Sequence, residues 1–257
     1  DAWHVPERLI DDIFFGMAAQ SAFRAGFPAR QWLFFLKRRQ LLAATLAWCE
    51  VMNDLFSPRL LAVGQALQDA LSRRRPTEVG AGKGRPAGVL MPLWDNGDSV
   101  QVIFTKRSSD LPQHAGQVSF PGGMLERGDP DLAHAALRET HEEIGVPAEK
   151  VKVLSRLDQL KTITGFVITP YLGLVASDVS FKVNPQEVER LLLVPLAKVL
   201  DRGRYRELEV DWDGMKLCQM GLPHDGDVIW GATFRMLQNF LDSLDDRAAD
   251  VLAAAAA

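Results

Sequence analysis

Residues 122–146 read GGMLERGDPDLAHAALRETHEEIGV, and their last third, RETHEEIG (138–145), carries three glutamates in five positions. Start and stop signals frame a helix over 131–144. Asp129 is placed to cap it, Pro130 suits the first helical position, and Gly145, with Pro147 two residues on, ends it. At about 100° per residue, Glu139, Glu142 and Glu143 share an arc of roughly 100°, where like charges repel. Leu132, Ala136, Thr140 and Ile144 form an adjoining stripe suited to packing on a sheet. Two glutamates on a helix ordinarily mean a solvated face. Here the turn Pro121-Gly122-Gly123 stands just upstream, and glycine lets backbone approach a ligand closely. Clustered carboxylates beside such a turn offer hard oxygen ligands to Mg²⁺, an ion that also binds substrate phosphates.

The rest of the chain narrows the classes. With 257 residues and 47% hydrophobic content there is ample material for a packed core. A net charge of -4 argues against a general nucleic-acid binder, which needs a basic excess. Cys49 and Cys218 imply no disulfide framework; they read as buried free thiols in a reducing, cytoplasmic setting. The apolar segment QWLFFLKRRQLLAATLAWCEVM (31–52) is cut by Lys37, Arg38 and Arg39, so no stable membrane insertion is expected. The opening DAWHVPERLIDD (1–12) is acidic and lacks a secretory pattern, and the missing initial Met reads as processing or truncation.

Residues 6–71 carry helical periodicity, and SPRLLAVGQALQDAL (57–71) opens on a serine cap. The stretch 73–88 mixes charge, Pro and Gly as linkers do, and a boundary is expected there, with the preceding helix open to assignment on either side. GVLMPLW (88–94) and SVQVIFTKR (99–107) predict a hairpin, with Asn96-Gly97 as its left-handed turn residues. Further predicted strands are 151–157, 165–176, 188–196 and 204–210, with a helix over 232–245. Strands mixed with segregated helices suggest a sheet covered by helices. The terminal alanine run reads as a frayed, low-complexity end.

The quoted stretch resembles the Nudix box of hydrolases that cleave nucleoside diphosphates linked to another moiety. The departures are specific: Asp129 replaces the usual glutamate, eight residues rather than seven separate it from Arg138, and Thr140 replaces an apolar residue. VIFTKRSSDLPQHAGQVSFPGG (102–123) resembles the added signature of the coenzyme A pyrophosphatases, in which Thr-any-Arg-Ser leads to His-any-Gly-Gln and Phe-Pro-Gly-Gly. The resemblance implies an α/β fold, a Nudix α/β/α sandwich with a mixed sheet between helices, here carrying an N-terminal helical extension. The expected division is 1–56 for the extension, 57–246 for the Nudix domain and 247–257 for an Ala-rich tail.

It also implies chemistry: Mg²⁺- or Mn²⁺-dependent hydrolysis of coenzyme A, with its thioesters as further candidate substrates, to 3′,5′-ADP and 4′-phosphopantetheine or its acyl form. The alternatives are another nucleoside diphosphate derivative, such as ADP-ribose or NADH, and a non-catalytic nucleotide sensor. By the resemblance Glu139 and Glu143 are metal ligands, Glu142 is a third ligand or a holder of metal-bound water, and Gly123 contributes its carbonyl. Arg138 orients carboxylates, since a guanidinium stays protonated. Glu187 binds metal or activates water, or is an ordinary loop glutamate. Arg107, His114 and Gln117, with Gly122 and Gly123, are candidates for the 3′-phosphate, adenine or diphosphate. The plainer readings are a strand-end salt bridge for Arg107 and a bond to its own loop for His114. His141 is placed at the surface, Lys106 and Arg73 to Arg75 serve solubility, and Trp230 is read as core in preference to a base-stacking platform.

Overall fold

The computed structural model of the chain describes residues 55–80, 84–111, 114–212 and 214–256. All of these belong to the compact unit Met52–Ala257. The helical reading of residues 6–54, the QWLFFL segment and Cys49 lie outside the described residues.

Helix α1 (Pro58–Leu71) begins where Ser57 Oγ accepts the Leu60 amide at 3.0 Å, with Pro58 at its first position. Its Leu60, Val63, Leu67 and Leu71 recur at helical spacing and are buried, each contributing about 1.5–3 kcal/mol. They pack in one cluster with strand β1 (Arg85–Asp95) and strand β2 (Val100–Arg107). The boundary expected within 73–88 therefore does not separate α1 from the sheet. The turn between β1 and β2 also departs from expectation. Only Gly97 is left-handed, at φ 94°, and Asn96 serves through its side chain, whose Oδ1 accepts the amides of Asp98 (3.0 Å) and Ser99 (2.9 Å).

Next come β3 (Val118–Ser119), β4 (Gly122–Met124), helix α2 (Leu132–Ile144), β5 (Val151–Arg156), β6 (Leu160–Lys161), β7 (Phe166–Val175) and β8 (Val188–Pro195). β1 is central. It pairs antiparallel with β2 and β4 on one side and parallel with β7 on the other, so the sheet is mixed. Strand period decides which side chains face which layer. Val102 and Phe104 of β2 enter the cluster with α1, whereas Ile103 enters a second cluster with Ile144 and Val146 at the end of α2. Helices thus cover both faces.

A short helix α3 (Leu196–Leu200) leads to an antiparallel three-stranded sheet of β9 (Arg206–Trp212), β10 (Met215–His224) and β11 (Asp227–Ile229). Sequence reading missed β10. Cys218 on it is exposed, not buried as expected, because the first part of β10, 215–220, is open to solvent on both faces. Helix α4 (Gly231–Asp242) closes the core with Phe234, Leu237 and Phe240. The alanine-rich end does not fray through this stretch. It forms helix α5 (Asp246–Ala256), which packs on α1 and buries Leu252.

The basic run before β1 serves structure rather than solubility alone. Arg74 Nη2 reaches both oxygens of Asp158, at 2.6 and 2.5 Å, and the Thr77 amide reaches Oδ1 at 2.6 Å. Burial alone would raise the Asp158 pKa, but these bonds overcome it and hold the carboxyl below its ordinary 3.8. A depressed folded pKa stabilises above the unfolded value and is lost as pH falls through the folded one. Asp158→Asn is therefore expected to cost about 1–2 kcal/mol near neutral pH in urea titrations, with the gap to the parent closing below its ordinary pKa.

Candidate active site

Helix α2 sits tight against β1 because Gly88 has no side chain: a Cβ there would stand 2.0 Å from the Leu132 carbonyl oxygen. Its cap is Asp131, whose Oδ1 accepts the His134 amide at 2.9 Å, not Asp129 as the sequence suggests. Asp129 is occupied elsewhere. Its two oxygens take Arg138 Nε and Nη2, both at 3.1 Å. Arg138 Nη1 also donates to Glu139 and Glu142 at 2.9 Å each, and Nη2 to the Met124 carbonyl at 3.1 Å. This guanidinium pins the loop to the helix and holds Glu139. Thr140 fits its buried place because its hydroxyl returns to the Ala136 carbonyl at 2.6 Å.

The three glutamates of the helix separate. Glu139 and Glu143 face inward, while Glu142 is turned out to Arg138 with 49% of its side chain exposed. Glu187 takes the third place: oxygens of Glu139, Glu143 and Glu187 lie within 4.8 Å of one another. The loop before β8 carries it there by capping α2. Lys182 donates its amide to the Ile144 carbonyl and Asn184 to that of Glu143, both at 2.9 Å, satisfying carbonyls left open at a helix end. Gly145, at φ 74°, gives the loop room, since a Cβ would meet Lys182 at 2.8 Å. The Ser108 amide then holds the Glu187 carbonyl at 2.9 Å, beside Arg107.

Glu143 is only 4% exposed, and its Oε2 has no hydrogen-bond partner among the described residues. Burial, then the charge of Glu139, pushes its pKa up to about 8, against the pull of the Gly122 backbone and Arg107. Burial also raises Glu139, with Arg138 opposing and Glu142 and Glu187 adding to the rise. Converging carboxylates with an unsatisfied buried oxygen are the donor set of a hard divalent cation, so the residues fit Mg²⁺ or Mn²⁺. Gly123 admits this arrangement: a Cβ on it would lie 2.2 Å from Glu139 Oε1.

The same residues line a cavity of about 690 Å³ together with Arg107, His114, Gln117, Gly122 and Gly123. Arg107 stands where the pairing of β2 with β8 shifts register, and its buried Nε has no hydrogen-bond partner among the described residues. Its amide donates to the Gln117 carbonyl at 3.0 Å, and His114 Nδ1 lies 3.0 Å from Gln117 Oε1, so His114 does bond its own loop. His141 is exposed, as expected. Lys106 is not a free surface charge; it pairs with Glu189 at 3.2 Å and Asp227 at 3.3 Å. Trp230 is not core. It caps α4 in an extended conformation, which takes it out of the apolar period of the helix and into the cavity wall. Lys161 and Arg235 also line the cavity and were missed, since neither lies in a recognisable motif.

The NUDIX domain family profile matches residues 84–210. The chain is 34% identical over 163 residues to the uncharacterized Nudix hydrolase NudL of Pectobacterium atrosepticum, covering 63% of this chain and 84% of that one. It is 35% identical over 155 residues to NudL of Yersinia pestis, covering 60% and 77%. Among solved structures, the MutT protein from Methanosarcina mazei is 18% identical, with 65% of this chain and 95% of that chain covered and a TM-score of 0.39.

Proposed function

The chain belongs to the Nudix hydrolase family, and we propose that the nucleoside diphosphate derivative it hydrolyses is coenzyme A, cleaved to 3′,5′-ADP and 4′-phosphopantetheine. The observation that carries this reading is one cavity holding both the carboxylates Glu139, Glu143 and Glu187 and the trio Arg107, His114 and Gln117. Much of the remaining wall is apolar, including Val89, Leu160, Ile168 and Met236, and suits the uncharged pantetheine arm.

Glu139 and Glu143 hold the divalent cation, which when bound neutralises the diphosphate oxygens and acidifies water. Arg107 sets its guanidinium against the diphosphate, where its buried Nε finds an acceptor. Glu187, which pairs with no cation among the described residues, receives the proton of the attacking water as the phosphorus–oxygen bond to the leaving phosphate breaks. Arg138 keeps Glu139 aimed, and Glu142 serves by holding Arg138. Among the described residues no helix is long and apolar enough to cross a membrane. The exposed free thiol of Cys218 suits a reducing compartment, and we place the reaction in the cytoplasm.

The test is to incubate the purified chain with Mg²⁺ or Mn²⁺ and coenzyme A, an acyl-coenzyme A, ADP-ribose and NADH, and to identify products by mass spectrometry. Coenzyme A or its thioester is expected to be cleaved fastest, with 3′,5′-ADP released. Faster cleavage of ADP-ribose or NADH sinks the substrate assignment. Nucleotide binding with no turnover of any of them replaces the enzyme with a sensor.

A further inference from the structure

The charged side chains on the cavity wall divide into carboxylates, Glu139, Glu143 and Glu187, and cations, Arg107, Lys161 and Arg235. Lys161 ends β6 and Arg235 lies on α4; both are exposed, and neither has an acidic partner among the described residues. Acids on the same helix and on the strand before it are engaged elsewhere. Asp242, on the same helix as Arg235, pairs instead with Arg202 at 2.6 Å, and Asp227, near the start of that helix, with Lys106 and Arg190. Two cations on the wall of one cavity are thus left without a protein carboxylate to match them among the described residues. A diphosphate diester does not need them, since its two charges face the carboxylate-held cation and Arg107. A phosphate monoester carries a further ≈ 1.5 to 2 negative charges and three acceptor oxygens, matching one ammonium and one guanidinium.

We propose that Lys161 and Arg235 form a subsite for a phosphate monoester on the nucleotide, separate from the scissile diphosphate, and so determine specificity. This rests on the coenzyme A reading for the name of that group, the 3′-phosphate, but the subsite is testable without hydrolysis. The readout is calorimetric binding of 3′,5′-ADP against 5′-AMP to the full chain, in parent, Lys161→Ala/Arg235→Ala and Lys161→Arg forms. The parent is expected to prefer 3′,5′-ADP by about tenfold or more, the double variant to lose that preference, and the arginine replacement to keep it. The kcat/KM ratio of coenzyme A to 3′-dephospho-coenzyme A is expected to fall in parallel in the double variant. A parent that binds the two nucleotides equally, or a double variant that keeps the preference, overturns the subsite. Preferential binding without turnover of either coenzyme leaves the subsite standing and removes the hydrolase reading instead. Because the test is a ratio, a general loss of structure in a variant, which weakens both ligands alike, does not imitate it.

Discussion

Glu143→Gln is expected to lower kcat by about 10³-fold on whichever nucleotide the chain cleaves fastest, with the fold intact. The amide keeps the shape and volume of the side chain but removes a carboxylate able to bind a cation, one whose Oε2 is buried without a hydrogen-bond partner among the described residues and which stands beside Glu139 and Glu187. Nothing else in the cavity replaces it, because Glu142 is held away by Arg138. The cost to stability goes the other way. A charge in this place is penalised by burial and by Glu139, so the metal-free variant is expected to melt no lower than the parent. Glu142→Gln is the internal comparison: an exposed residue acting through Arg138 is expected to cost about tenfold or less. Initial rates at saturating Mg²⁺ and thermal melts of the three proteins decide it. Equal losses in the two variants contradict the separation of the glutamates described above.

Sequence order made the helix with its three glutamates visible, because periodicity and the stop at Gly145 are local properties. It left open which of them work together. An arc of about 100° holds all three, and only packing against β1 and the engagement of Arg138 sends two inward and one out. The cap illustrates the same limit. Asp129 and Asp131 flank Pro130 alike in sequence, and the choice between them is made by Arg138, which takes Asp129. Glu187 entered as a candidate through the family resemblance, with an ordinary loop glutamate as its alternative, and what carries it to the other two carboxylates is the loop that caps α2, a contact with no local pattern. Trp230 and Cys218 were misjudged for one reason: residue type indicates an average burial, whereas a helix cap and a strand end open to solvent set the actual one. Lys161 and Arg235 line one cavity only because β6 and α4 both face it, which no spacing in the chain reveals.

Two glycines in this site separate stability from activity. At Gly123 an added Cβ meets Glu139 Oε1 at 2.2 Å and Cδ at 2.4 Å, the mobile end of a side chain. At Gly88 it meets the Leu132 carbonyl oxygen at 2.0 Å and the Ala136 amide nitrogen at 3.3 Å, both backbone atoms of α2. Gly88→Ala must therefore push the helix off the sheet and is expected to cost about 3 kcal/mol or more, with activity falling along with the fold. Gly123→Ala needs only a turn of the Glu139 carboxylate, and its stability is expected to stay within about 1 kcal/mol of the parent. That turn removes Glu139 from Glu143 and Glu187. Since a misplacement of about 1 Å can cost 10²-fold, kcat/KM is expected to drop by about 10² or more in a protein that still melts near the parent temperature. Urea midpoints and kcat/KM measured side by side separate the cases. Full activity in Gly123→Ala means that the position of Glu139 beside the other two carboxylates is not what the reaction uses.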